Sequence, residues 1–122
     1  MSAVLARYRN KIIPAEVAVR TIPPGCRILI GSGAAEPGVL VEAMVEHGTQ
    51  LADNEVVHLA TFGKAPYVAP GQERRFRHTA FFIGENVREA VREGRADFMP
   101  VFLSEIPRLI ESGRVRIDVA LI

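Results

Sequence analysis

Five short apolar runs divide this chain, and segments of helical period or turn residues separate them. That alternation limits the fold more than any other feature of the sequence. Cys26–Ile30 is almost wholly apolar, as a strand buried on both faces should be, and it stops at Gly31-Ser32-Gly33. Glu55–Ala60, Thr79–Ile83, Ala96–Met99 and Arg116–Ile122 are the other four predicted strands. Between them, Pro37 opens a helix running to about Glu46, with Val39, Leu40, Ala43, Met44 and His47 at three-and-four spacing and Gly48 as its stop. Asn86–Glu93 forms a second helix, closed by Gly94, and Ser104–Glu111 a third, with Ser104 placed to cap it. A short helix over residues 14–21 precedes them and is broken by Ile22-Pro23-Pro24-Gly25. Residues 61–78 show no convincing period.

Strands alternating with helices across glycine and proline turns predict an α/β fold, a mostly parallel sheet flanked by helices. Ligands of such sheets sit beyond the carboxyl ends of the strands, which directs attention to the segments after Ile30, Ala60, Ile83 and Met99. The last run, Arg116–Ile122, finishes with the chain. A buried strand closing flush at a terminus is expected to be followed by more protein, so residues 1–122 read as one domain of a larger unit.

Composition removes several function classes. A formal net charge of +1 supplies no overall field for nucleic acid or an anionic membrane, so neither is expected as a partner. Cys26 is the single cysteine, which excludes an internal disulfide and a thiolate metal cluster and points to a reducing compartment. No apolar run approaches the about 20 residues that span a bilayer, and the first residues lack a signal-peptide core. A soluble cytoplasmic protein is the expectation.

The turn Gly31-Ser32-Gly33-Ala34-Ala35-Glu36-Pro37 joins a strand to a helix. It is either a tight turn needing only flexible residues, or one whose amides face a carbonyl, thioester or pantetheine-like ligand. A dinucleotide fingerprint fits poorly. Glu36 stands where its third glycine belongs, and a carboxylate there would repel a pyrophosphate. The basic cluster Glu73-Arg74-Arg75-Phe76-Arg77-His78 reads as a solvated loop with surface ion pairs, or as one arginine aimed at a phosphate or carboxylate.

His58 lies in a strand and reads as a hydrogen-bonded core histidine. His47 suits a helix end, and His78 reads as exposed beside the arginines. Their spacing gives no metal site, Ser32 lacks a nucleophile-elbow pattern, and Cys26 reads as packing. Asn86 is placed to cap its helix. Arg88, in a first helical turn, opposes the helix dipole and hints at a ligand or a buried acidic partner.

The stretches RFRHTAFFIGENVREAVREGRADFMPVFLSEIP and RIDVALI resemble the amino-terminal domain of the acetyl-CoA hydrolase/transferase family, which includes 4-hydroxybutyrate CoA-transferases. Tyr8-Arg9-Asn10-Lys11, the helix from Pro14, GSGAAEP and HLATFGKAPYVAP are similar to that domain in the same order. The resemblance implies a NagB/RpiA/CoA-transferase-like fold in which two α/β domains face each other across an active site. It also implies a ping-pong reaction, in which a glutamate forms an acyl anhydride and then an enzyme–CoA thioester before a second carboxylic acid takes the CoA.

In the family the nucleophile belongs to the carboxyl-terminal half. No glutamate of this chain, Glu36 included, sits in a segment resembling that motif, so none is assigned a catalytic role. By the same resemblance, Gly31, Ser32, Gly33, Ala34, Phe62, Gly84, Asn86 and Arg88 are expected to line a substrate and CoA wall. A coenzyme A thioester is then substrate, with no covalently bound cofactor. The expected partners are an acyl-CoA, a small carboxylate, the catalytic carboxyl-terminal half and further copies of the chain. The alternative is a separately encoded, non-catalytic subunit or interaction module that pairs with that half.

Overall fold

The computed structural model describes residues 3–122. Its strands are β1 (Arg27–Ile30), β2 (Asn54–His58), β3 (Phe76–Ala80), β4 (Ala96–Phe98) and β5 (Val119–Leu121). They form one sheet in the order β4-β3-β2-β1-β5, with every neighbouring pair parallel. The helices are α1 (Ala3–Tyr8), α2 (Ala15–Val19), α3 (Gly38–His47), α4 (Glu85–Arg92) and α5 (Ile106–Glu111). The predicted α/β architecture is therefore the one observed. No described helix is long and apolar enough to cross a membrane.

Strand register sorts the side chains into two faces. Ile28, Ile30, Val56, Ala80 and Leu121 join Val19, Val41, Met44 and Val87 of α2, α3 and α4 in the main core. On the opposite face, Val57, Phe81 and Val115 gather a smaller cluster with Ile106 and Leu109 of α5. The amino-terminal end of that second face is charged. Arg27 pairs with Glu55, Thr79 donates to Glu55 at 2.8 Å, and Arg77 forms a two-pronged pair with Asp97.

Several local expectations are corrected. β3 starts three residues earlier than predicted, because Arg77 points outward to Asp97 while His78 points into the core, and these polar residues disguised the strand. β5 is shorter than Arg116–Ile122, since Arg116 and Asp118 pair with each other ahead of the ladder. Helix α1 was not foreseen; none of its residues is buried. The featureless stretch contains a 3-10 turn, Pro66–Val68, that buries Tyr67. Ser104 caps nothing: it lies inside a 3-10 turn, and Glu105 precedes α5 without a side-chain cap. Cys26 is buried, as expected of packing, and burial pushes its thiol pKa up.

The basic cluster proves structural at two of its positions. Arg75 reaches the end of α3 and donates to the carbonyls of Val45 (2.9 Å), Met44 (3.4 Å) and Gly48 (2.7 Å). It thereby satisfies oxygens that a helix leaves unpaired at its carboxyl end. Arg77 is engaged by Asp97.

His78, expected at the surface, is fully buried against His58, with the two Nε2 atoms 2.6 Å apart. The Nδ1 of His78 lies 2.8 Å from the Val56 carbonyl, which can only accept, so that nitrogen carries the proton. In the neutral ring its Nε2 is then the acceptor, and His58 donates from its own Nε2. His58 Nδ1 is left as a buried acceptor with no partner. Burial disfavours the charged forms, lowering the pKa of His58 to about 3 and that of His78 to about 4.

Replacing Arg75 by Ala should lower unfolding free energy by about 2 kcal/mol, since several carbonyls lose a charged donor. Arg77→Ala, at an exposed pair, should cost less than about 1 kcal/mol; urea denaturation of both variants checks the contrast. The histidine pair fixes a pH dependence. Both folded-state pKa values lie below the ordinary 6.5, so the unfolded chain binds more protons as pH falls. Stability should be level above about pH 6.5 and decline towards pH 4, beginning before most carboxylates titrate. Urea midpoints for wild type and the His58→Gln/His78→Gln variant should show the decline between about pH 6.5 and 5 flattened in the variant.

Candidate functional site

Parallel pairing places the carboxyl ends of all strands along one edge, and three turns meet there. The turn after β1 carries Gly31 to Pro37, that after β2 carries Thr61 to Lys64, and that after β3 leads through Gly84 into α4. The first two are stitched by backbone. Gly33, at φ 62°, donates to the Ala60 carbonyl at 2.7 Å and forms a parallel bridge with Thr61.

Side chains complete the junction. Glu36 accepts a hydrogen bond from the Gly63 amide at 2.8 Å. Asn86 donates to the Thr61 carbonyl and hydroxyl, both at 3.2 Å, and to the Gly63 carbonyl at 2.9 Å. Asn86 therefore does not cap α4, as the sequence led us to expect; Gly84 holds that position without a side-chain bond. Its Oδ1 is buried without a partner. Beneath the turn lies Tyr67, whose buried hydroxyl also lacks a well-formed hydrogen bond; burial pushes its pKa up, with the Thr61 hydroxyl opposing and Glu36 adding to the shift.

Two clefts open on this junction. One, of about 360 Å³, is lined by Gly33, Ala34, Glu36, Glu42, Phe62 and Lys64 among others. The second, of about 490 Å³, is lined by Ala60, Thr61, Phe62, Gly84, Glu85 and Asn86. Phe62 is common to both and is 81% exposed. Gly31 and Ser32 face a third, apolar groove with Leu29, Leu103, Ile106 and Ile122. Five of the eight residues singled out in the sequence, Gly33, Ala34, Phe62, Gly84 and Asn86, thus line the paired clefts, and two line the groove beside them. Arg88 lines none of these spaces. It is exposed and its side chain makes no hydrogen bond or ion pair among the described residues, so the buried acidic partner its position hinted at is not there.

The amides of the first turn are mostly engaged within the protein. Gly31 donates to Leu121, Gly33 to Ala60, Ala35 to Ser32 and Glu36 to Gly33. A ligand at this turn would meet small side chains more than unpaired N–H groups. Glu36 and Thr61 are the residues that sequence reasoning missed. Glu36 was noticed only as an obstacle to phosphate; a carboxylate between small residues and a proline was the available signal. Among the described residues, no three His, Cys, Asp or Glu side chains gather closely enough to hold a metal ion.

The description of the acetyl-CoA hydrolase/transferase N-terminal domain matches residues 3–122. The chain is 40% identical over 115 residues to the 4-hydroxybutyrate coenzyme A transferase of Clostridium kluyveri, covering 94% of this chain and 27% of that protein. It is 42% identical over 100 residues to a succinyl-CoA:acetate/propanoyl-CoA:succinate CoA transferase of Fasciola hepatica, covering 80% and 20% of the two chains. The crystal structure of RipA from Yersinia pestis superimposes with a TM-score of 0.80 at 23% identity, over 98% of this chain and 30% of that one, a likeness of fold. The chain spans about a quarter of the length of these proteins. The match over residues 3–122 makes one assignment: the chain belongs to the acetyl-CoA hydrolase/transferase family, and it corresponds to that family's N-terminal domain.

Proposed function

We propose that this domain forms one wall of the active site of a CoA-transferase, which moves CoA from an acyl-CoA to a carboxylic acid. The observation that carries the reading is the convergence of three turns, Gly31–Pro37, Thr61–Lys64 and Gly84–Asn86, around two open clefts at the carboxyl edge of the sheet. Open clefts supply walls for an extended ligand but do not enclose a reacting centre. Glu36, the carboxylate at the junction, is tied to the Gly63 amide and is not set up as a nucleophile. The covalent step is assigned to the carboxyl-terminal part of a complete enzyme, and the chain alone is expected to be inactive.

A second reading, a separately encoded subunit or interaction module, is favoured by one observation. Phe98, Phe102 (81% exposed) and Leu103 leave an apolar rim uncovered. A patch of this kind marks an interaction surface. Both readings place a second domain or a second copy of the chain on that rim.

Purified chain mixed with acetyl-CoA and propionate should show no transfer above background by chromatography of the CoA esters. When it replaces the corresponding first segment of the Clostridium kluyveri transferase, the hybrid should transfer CoA. A folded hybrid without activity would count against the wall reading, and transfer by the chain alone would contradict the placing of the nucleophile elsewhere. Light scattering should show self-association of the isolated chain; a monomer at high concentration would argue against the exposed rim as an interface.

A further inference from the structure

We infer that Glu36 and Asn86 are positioning residues of this site, which jointly fix the Thr61–Gly63 turn so that the Phe62 ring stands as the wall shared by the two clefts, facing the acyl end of a thioester. The substrate class rests on the reading of this face as an acyl-CoA wall; the positioning rests on geometry alone.

An apolar ring on a loose surface loop gains by folding back onto apolar neighbours. Phe62 does not fold back: it is 81% exposed although apolar grooves lie nearby. What holds it out is a brace on both sides of the residue. Before Phe62, the Asn86 amide group donates to the Thr61 carbonyl; after it, Asn86 donates to the Gly63 carbonyl and Glu36 accepts from the Gly63 amide. Their partners lie 23 to 27 residues away in sequence, so the brace ties three strand ends together. Ala65, which follows in the left-handed region at φ 47°, is a backbone conformation that persists only where surrounding contacts dictate it.

Both residues sit beside a helix start, where carboxylate and amide side chains ordinarily serve their own helix. Neither does. Pro37 and Gly84 hold the caps of α3 and α4 without side-chain bonds, while Glu36 and Asn86 turn to the same three-residue turn. Two glycines make room for them. A Cβ on Gly63 would lie 2.6 Å from a Glu36 carboxylate oxygen, and one on Gly84 would lie 2.7 Å from Asn86 Oδ1. Space, hydrogen bonds and forgone caps therefore all point to Phe62.

Isotope-labelled wild-type chain and the variants Glu36→Ala, Glu36→Gln and Asn86→Ala can be compared by NMR. In both alanine variants the amides of Phe62 and Gly63 should exchange about tenfold faster, while those within β1 to β3 do not change. Glu36→Gln keeps an acceptor oxygen for the Gly63 amide, so it should restore exchange protection. With butyryl-CoA added, the Phe62 ring signals should move in wild type and in Glu36→Gln, and much less in the alanine variants. Unchanged exchange and unchanged ring response in the alanine variants would overturn the positioning role. Loosened turns together with a wild-type Phe62 insensitive to butyryl-CoA would uphold the positioning and sink the acyl-CoA reading.

Discussion

Every strand of this sheet pairs in parallel with its neighbours, and the geometry of the domain follows from that. Parallel strands cannot be joined by tight hairpins, so each must be followed by a crossover that starts at its carboxyl end. Three such crossovers, after β1, β2 and β3, leave from adjacent points on one edge. With short strands of three to five residues, the edge is as much a part of the domain as the ladder. The turns are brought within hydrogen-bonding reach of each other before any ligand is considered.

The two ends of the sheet differ in consequence. At the amino-terminal edge, charged rows on one face close on themselves through Arg27 with Glu55 and Arg77 with Asp97. At the carboxyl edge the amides and carbonyls of the turns are satisfied in part by backbone and in part by Glu36 and Asn86, side chains from neighbouring crossovers. The core between these edges carries its own polar element in the neutral His58–His78 pair. The pair is tolerated there because His78 meets a partner at both ring nitrogens and His58 at one; the unpartnered Nδ1 of His58 and hydroxyl of Tyr67 mark where satisfaction is incomplete.

Much of the fold was legible because apolar periodicity reports burial. β1, α3 and α4 stand within one or two residues of their sequence-based bounds, and their turns carry the glycines that the backbone requires. Legibility failed where polar side chains do core work. Phe76–Ala80 looked like the end of a basic loop, because a pair formed across strands by Arg77 and a contact made by His78 with a residue 20 positions away leave no local trace. The same holds for the site. Gly33, Phe62 and Asn86 could be marked from their places after strands, but the use of Asn86 as a brace depends on carbonyls 23 to 25 residues away. A single helix-capping rule applied to Asn86 chose the nearer partner and was wrong.

Strand order also explains why the first turn resembles a phosphate-binding loop without being one. β1 lies between β2 and β5, the point where the order reverses and where a doubly wound sheet takes its ligand. A dinucleotide fold would use the start of the following helix there, with open amides and no nearby negative charge. Here Pro37 caps α3, the turn amides are mostly engaged within the protein, and Glu36 directs its carboxylate to Gly63. The position that would hold a pyrophosphate is filled by an internal anion. The neighbouring cleft at the turns after β2 and β3 instead presents small residues and the Phe62 ring. The same topology thus presents a different surface at its switch point, through the placement of one carboxylate.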